Sequence, residues 1–195
     1  SLALGRFIGI IIYYIYPVRK SIAYSNLAIA FPEYNLKEKK ILIKKCYKHY
    51  GMVFVDFFRL PKYKRKQNNY VVRIDQKSIE YLKKKSGGII LSGHIGNWEY
   101  IGPTLSKYNI KSAGVALTQK NARSNKFFNK LRISKNMKVI PANSGSKIMI
   151  EHIKNGFYLG LISDQNAGKK GTSALFFNKQ VSVPKGAAAF HLKTN

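Results

Sequence analysis

His94 and Glu99 stand with four residues between them in "LSGHIGNWEY", directly after an apolar run and beside the chain's only tryptophan. An imidazole takes a proton from a hydroxyl near neutral pH. A carboxylate on its other nitrogen fixes the tautomer and stabilises the imidazolium that forms. If His94 closes a strand and Glu99 enters the next helix, the turn between them can fold the carboxylate back onto the ring. The same spacing also suits a histidine capping a strand and a glutamate starting a helix, and spacing alone does not choose. Ser92 lacks the G-x-S-x-G elbow of a serine nucleophile. The chemistry suggested is therefore direct: His94 deprotonates an acceptor hydroxyl, which attacks an activated acyl carbonyl. H-x4-E lacks the H-E-x-x-H pattern of a zinc helix, and His49, His152 and His191 are scattered, so neither metal nor cofactor is expected.

Asp164 is the second acid that follows an apolar run into a glycine-containing turn, "SDQNAGKKG". Surface roles suffice for Glu33, Glu38, Asp56, Asp75, Glu80 and Glu151. Five of the 15 glycines fall between Gly87 and Gly102, where they let another molecule approach the backbone closely.

The elements that must position these residues read as α/β. Gly88–Leu91, Ala113–Leu117, Lys138–Ile140 and Phe157–Ile162 have the length and apolarity of short strands. Trp98–Lys107, Asn121–Lys135 and Ser146–Asn155 alternate with them as helices. This order predicts a largely parallel sheet flanked by helices, with active residues at the carboxyl ends of its strands. Upstream, Asn35–Arg59 has a capping-box pair, Asn35 and Glu38, and helical apolar spacing. Pro61 is expected to end that helix, "KYKRK" at 62–66 to be a basic loop, Val71–Ile74 a strand and Ser78–Lys85 a helix. The first sixteen residues, "SLALGRFIGIIIYYIY", are almost wholly apolar. Their cleanest run falls short of the ~20 residues a spanning helix needs. Its terminal tyrosines and the following Arg19 and Lys20 suit a membrane interface with its basic flank toward the cytoplasm. An ordinary buried helix is the alternative. Two segments are expected: 1–34, membrane-associated, and 35–195, the α/β domain. The missing initiator methionine and the end within "FHLKTN" suggest a fragment.

Charge narrows the partners. With 35 Lys+Arg against 8 Asp+Glu the formal charge is +27, while 45% hydrophobic and 13% aromatic content argue against disorder. Such charge predicts an anionic partner, whether a phospholipid surface, an acidic protein, a phosphorylated substrate or nucleic acid. A solvated surface of biased composition explains it equally. The aromatics lack an RNA-recognition arrangement, so nucleic acid is not expected. Cys46, the single cysteine, excludes an intrachain disulfide and reads as a small core residue.

"SGHIGNWE" resembles the H-x4-D/E segment of the bacterial lipid A late acyltransferases. This lauroyl/myristoyl acyltransferase-like family is related to the mycobacterial phosphatidylinositol mannoside acyltransferases. "AFPE" at 30–33, "NKLRISKNMKVIP" at 129–141 and "GFYLGLISDQNAGKKGTSALFFNKQVSVPKGAA" at 156–188 match its pattern in order. The resemblance implies a glycerophosphate-acyltransferase-like fold with an N-terminal membrane anchor. It implies acyl transfer from a thioester, carried by acyl carrier protein or coenzyme A, to a glycolipid acceptor at the cytoplasmic face of the inner membrane. By position it makes His94 the base and Glu99 its partner. It gives Arg132 a role in catalysis or phosphate binding, and lets Asp164 steady the histidine or orient a donor. Two other readings remain: the same chemistry on another glycolipid or lysolipid, and a non-catalytic basic protein that binds membrane or nucleic acid.

Overall fold

The computed structural model describes residues 2–65, 72 and 74–194. The strand expected over Val71–Ile74 involves residues 71 and 73, and the basic run ends at residue 66, all three outside those described. The chain forms two compact units, Ser1–Arg59 with Leu175–Lys179, and Leu60–Ala174 with Gln180–Asn195.

The first unit is helical: α1 (Leu2–Ile15), α2 (Lys20–Ala30) and α3 (Leu36–Phe58). The capping box forms as expected. The Asn35 side chain accepts the Glu38 backbone N–H at 3.0 Å, and the Glu38 carboxylate accepts that of Asn35 at 2.8 Å. Such a cap contributes about 1 kcal/mol. Helices α1 and α3 touch backbone to backbone through Gly5, Gly9 and Gly51. A Cβ on Gly5 would lie 2.6 Å from the Met52 Cα, and one on Gly9 would overlap the Tyr47 carbonyl. This seam buries Tyr13, Ile43 and Val53, while Leu4, Phe7, Ile11 and Ile15 form an exposed apolar stripe on α1. Cys46 is exposed. The expected core position is thus corrected, because the glycine seam buries a different face of α3. Among the described residues no single helix is long and apolar enough to cross a membrane. Helices α1 and α2 reach that length and apolarity only together, and they meet at a 98° bend.

The second unit opens with α4 (Leu60–Arg65). The preceding helix ends at Phe58, and Pro61 stands in the first turn of the new one, where its missing N–H removes no helical bond. Residues 62–65 of the expected basic loop are therefore helical. Helix α5 (Gln76–Lys84) leads to a parallel sheet of β1 (Gly88–Ser92), β2 (Ser112–Ala116), β3 (Met137–Pro141) and β4 (Tyr158–Ile162), in the order β1-β4-β2-β3. The crossovers carry α6 (Ile101–Lys107), α7 (Ala122–Arg132) and α8 (Gly145–Lys154). The α/β expectation holds, with strand boundaries moved by one residue or so.

Adjacent residues of β4 serve opposite faces, as strand periodicity requires. Leu159 packs with Met149 and Ile153 of α8 and with Phe190 of α9 (Gly186–Thr194). Tyr158 packs with Ile79 of α5 and Leu105 of α6. A separate two-stranded hairpin, β5 (Thr172–Phe176) and β6 (Lys179–Val183), follows the sheet. Neither the hairpin nor α2 is anticipated by the sequence reading, since both are short and lack a clean apolar period.

Candidate active site

Strands β1 and β4 are neighbours, parallel and in register, so Ser92 lies opposite Ile162 at their carboxyl ends. The Ser163 N–H donates to the Ser92 carbonyl at 2.9 Å and continues the pairing past the strands. Two residues beyond each strand stand His94 and Asp164, seventy positions apart in sequence. Asp164 clasps the histidine twice. One carboxylate oxygen, Oδ2, accepts the His94 backbone N–H at 2.7 Å, and the other, Oδ1, lies 2.7 Å from the ring Nδ1. Gly93 permits this approach, because a Cβ there would stand 3.0 Å from Oδ2. Burial raises the Asp164 pKa, but the hydrogen bonds from the His94 backbone and ring outweigh it and hold the carboxyl below its usual value. An ionised Asp164 keeps the proton on Nδ1 and leaves the Nε2 lone pair available. The Trp98 ring stands edge-on to His94, with centroids 4.6 Å apart.

Glu99 is placed differently from the sequence expectation. It does not fold onto the His94 ring in this structure. A 3₁₀ turn over Trp98–Tyr100 leads into α6, and Glu99 on that turn grips Arg132 through two bonds, Nε to Oε2 at 2.8 Å and Nη2 to Oε1 at 2.6 Å. The planar guanidinium matches a carboxylate edge to edge, which an imidazole cannot. The four candidates thus form two pairs, His94–Asp164 and Glu99–Arg132.

Arg132 is the last residue of α7, three residues short of the expected helix end. Lys64 holds that terminus, donating to the carbonyls of Ile133 at 2.7 Å and Lys130 at 3.4 Å. Burial pushes the Lys64 ammonium down. In sequence Lys64 stands in a basic run, and nothing local indicates that it caps a helix of the site.

The Glu99–Arg132 side chains are only 14% and 20% exposed. Breaking one half of a buried pair strands the other charge. Both side chains keep some exposure, so Glu99→Gln should lower stability by about 3 kcal/mol, the lower end for a broken buried pair. For a chain of this size that is a melting-temperature loss of roughly 5–10 °C, readable by calorimetry. An unchanged melting temperature would reduce the pair to a solvated contact.

His94, Glu99 and Arg132 line one cavity of about 330 Å³. Ile90, Leu105, Val139 and Ile162 make its apolar wall. Gly114 and Gly160, on the adjacent strands β2 and β4, contribute no side chain and leave room above the sheet. A histidine held by a carboxylate, a fixed guanidinium and an apolar slot together suit transfer of an acyl group.

A family model for bacterial lipid A biosynthesis acyltransferases matches residues 2–195. The chain belongs to this family. Its members are acyltransferases, so the protein is an enzyme of acyl transfer in lipid A synthesis, with an acyl donor and a lipid acceptor. A comparison with curated proteins finds no match.

Proposed function

We propose that this acyltransferase moves a fatty acyl chain from an acyl thioester to a hydroxyl of a lipid A precursor, with His94 as general base. The observation that carries the reading is the 2.7 Å contact between His94 Nδ1 and Asp164 at the mouth of an apolar cavity. Nε2 takes the proton of the acceptor hydroxyl. The oxygen forms a bond to the thioester carbonyl carbon, and the C–S bond breaks as the tetrahedral intermediate collapses. The imidazolium then returns its proton to the departing thiolate, giving an ester and a free thiol. Asp164 orients and stabilises the imidazole through this cycle. Glu99 fixes Arg132, whose guanidinium suits a developing oxyanion or a substrate phosphate. The cavity's apolar wall takes the acyl chain.

The exposed stripe on α1, Leu4, Phe7, Ile11 and Ile15, supports docking of the N-terminal segment on the inner membrane, with the site toward the cytoplasm. The +27 charge favours an anionic lipid surface and an acidic acyl carrier as donor. The test incubates the intact protein with acyl carrier protein thioester and a lipid A precursor, followed by lipid mass spectrometry. The expected product carries one additional acyl chain, and the precursor should remain unchanged without enzyme. Acylation of another glycolipid or lysolipid, with none on the precursor, would reject the acceptor. No transfer to any hydroxyl would reject the chemistry.

A further inference from the structure

We propose that the β5–β6 hairpin is a second membrane contact, a finger whose aromatic tip enters an anionic phospholipid bilayer. Its strands are joined by two residues, Phe177 and Asn178, both at positive φ, 49° and 56°. Two consecutive left-handed residues make the hairpin turn that normally selects Asn, Asp or Gly. Asn178 fits that rule and Phe177 opposes it, because a bulky side chain is strained there.

Polarity changes along the hairpin. Thr172 and Ser173 begin β5, while Leu175, Phe176 and Phe177 at the tip are 75%, 63% and 49% exposed. The Phe176 and Phe177 rings meet edge to face, with centroids 4.5 Å apart. The base is fixed: the Ala167 N–H donates to the Ser182 carbonyl at 3.1 Å, and the Ser182 hydroxyl to the Gly168 carbonyl at 2.6 Å. At about 3.3 Å per residue, Leu175–Phe177 make an apolar segment roughly 7–10 Å long. That matches the ~5–10 Å depth of an interfacial apolar element.

Charge selects the occupant. Lys169, Lys170, Lys179 and Lys185 are exposed around the hairpin in sequence, and no Asp or Glu occurs between residues 165 and 195. Lysines beside an inserted apolar tip reach back to anionic headgroups along their aliphatic stems.

The inference rests on the proposed action at a membrane lipid, and its test separates the two. Phe177→Trp in the intact protein is mixed with vesicles of phosphatidylcholine and phosphatidylglycerol, with the Trp98 emission of the parent subtracted. The added indole should shift to the blue and be quenched by acyl-brominated lipid. Phe177→Gly removes the ring and relieves the turn, so it should melt no lower than the parent. Its affinity for these vesicles should fall about tenfold, the scale of one buried aromatic ring. Parent protein that sediments with vesicles while the Phe177→Trp indole stays unquenched would overturn the finger and leave docking through α1. Parent protein that does not sediment would remove both contacts. Unchanged vesicle affinity of Phe177→Gly, with a raised KM for carrier-bound donor, would assign the tip to the acidic carrier instead and overturn the lipid contact.

Discussion

Asp164→Asn should lower acyl transfer about 10³- to 10⁴-fold, the scale on which a misoriented catalytic histidine fails. The carboxylate accepts two hydrogen bonds from His94, from the backbone N–H and from Nδ1, both at 2.7 Å. Asparagine can keep the backbone bond through its carbonyl oxygen. Its amide then faces Nδ1 as a donor, and the proton moves to Nε2. The nitrogen that should receive the substrate proton is already occupied. Stabilisation of the imidazolium is lost in the same change. KM should move little, because Asp164 acts through the ring. Glu99→Gln supplies the contrast. It touches Arg132 and leaves the His94 clasp intact, so its loss should appear in stability, with a raised KM if Arg132 binds a substrate phosphate and a lowered kcat if it meets the developing oxyanion. Steady-state rates of the two variants, beside their melting temperatures, decide which acid serves the histidine. A fully active Asp164→Asn with an inactive, folded Glu99→Gln would restore the sequence-local pair. The pH dependence has a definite sign. The Asp164 pKa is depressed in the folded protein, so its contribution to stability is present above the ordinary carboxylate range. That contribution is lost as pH falls through its lowered value.

Glu99 and Asp164 are legible as candidates because acids are scarce here and these two follow apolar runs into glycine turns, His94 through its spacing to Glu99, and Arg132 only through the family resemblance. Their pairing was not legible. A strand's neighbours depend on crossover handedness and helix packing, and the order β1-β4-β2-β3 sets two strands side by side that lie seventy residues apart. Proximity in sequence therefore favoured Glu99, whereas sheet topology delivered Asp164 to the ring. The capping box at Asn35 was readable because it is encoded within four residues. Pro61 misled because the same residue that ends one helix also suits the first turn of the next. Helical periodicity marks an apolar face at Cys46 without saying what covers it. Three glycines decide that, and they bring α1 against another face. The hairpin escaped because its turn carries Phe177 where a glycine or asparagine would have announced it.

His94→Ala should reduce turnover about 10²- to 10⁴-fold, the contribution of a positioned general base. The variant should fold. The ring and the Asp164 side chain are 28% and 41% exposed, so removal leaves no buried void of consequence. Asp164 also keeps its bond to the residue 94 backbone N–H, which does not depend on the side chain. What remains is the rest of the site: the apolar cavity is unaltered, and the Glu99–Arg132 pair still presents its guanidinium. The double variant tests the logic more strictly. If Asp164 acts only through the imidazole, adding Asp164→Asn to His94→Ala should change the residual rate by less than about threefold, because residues that act as a unit do not add. Two independent contributions would multiply instead, taking the double variant far below either single one. Single-turnover measurements with saturating thioester read the chemical step directly and keep donor binding out of the comparison. A His94→Ala enzyme that turns over at the parental rate would end the general-base mechanism. A multiplicative double variant would keep His94 as the base and give Asp164 a separate task, such as orienting the donor.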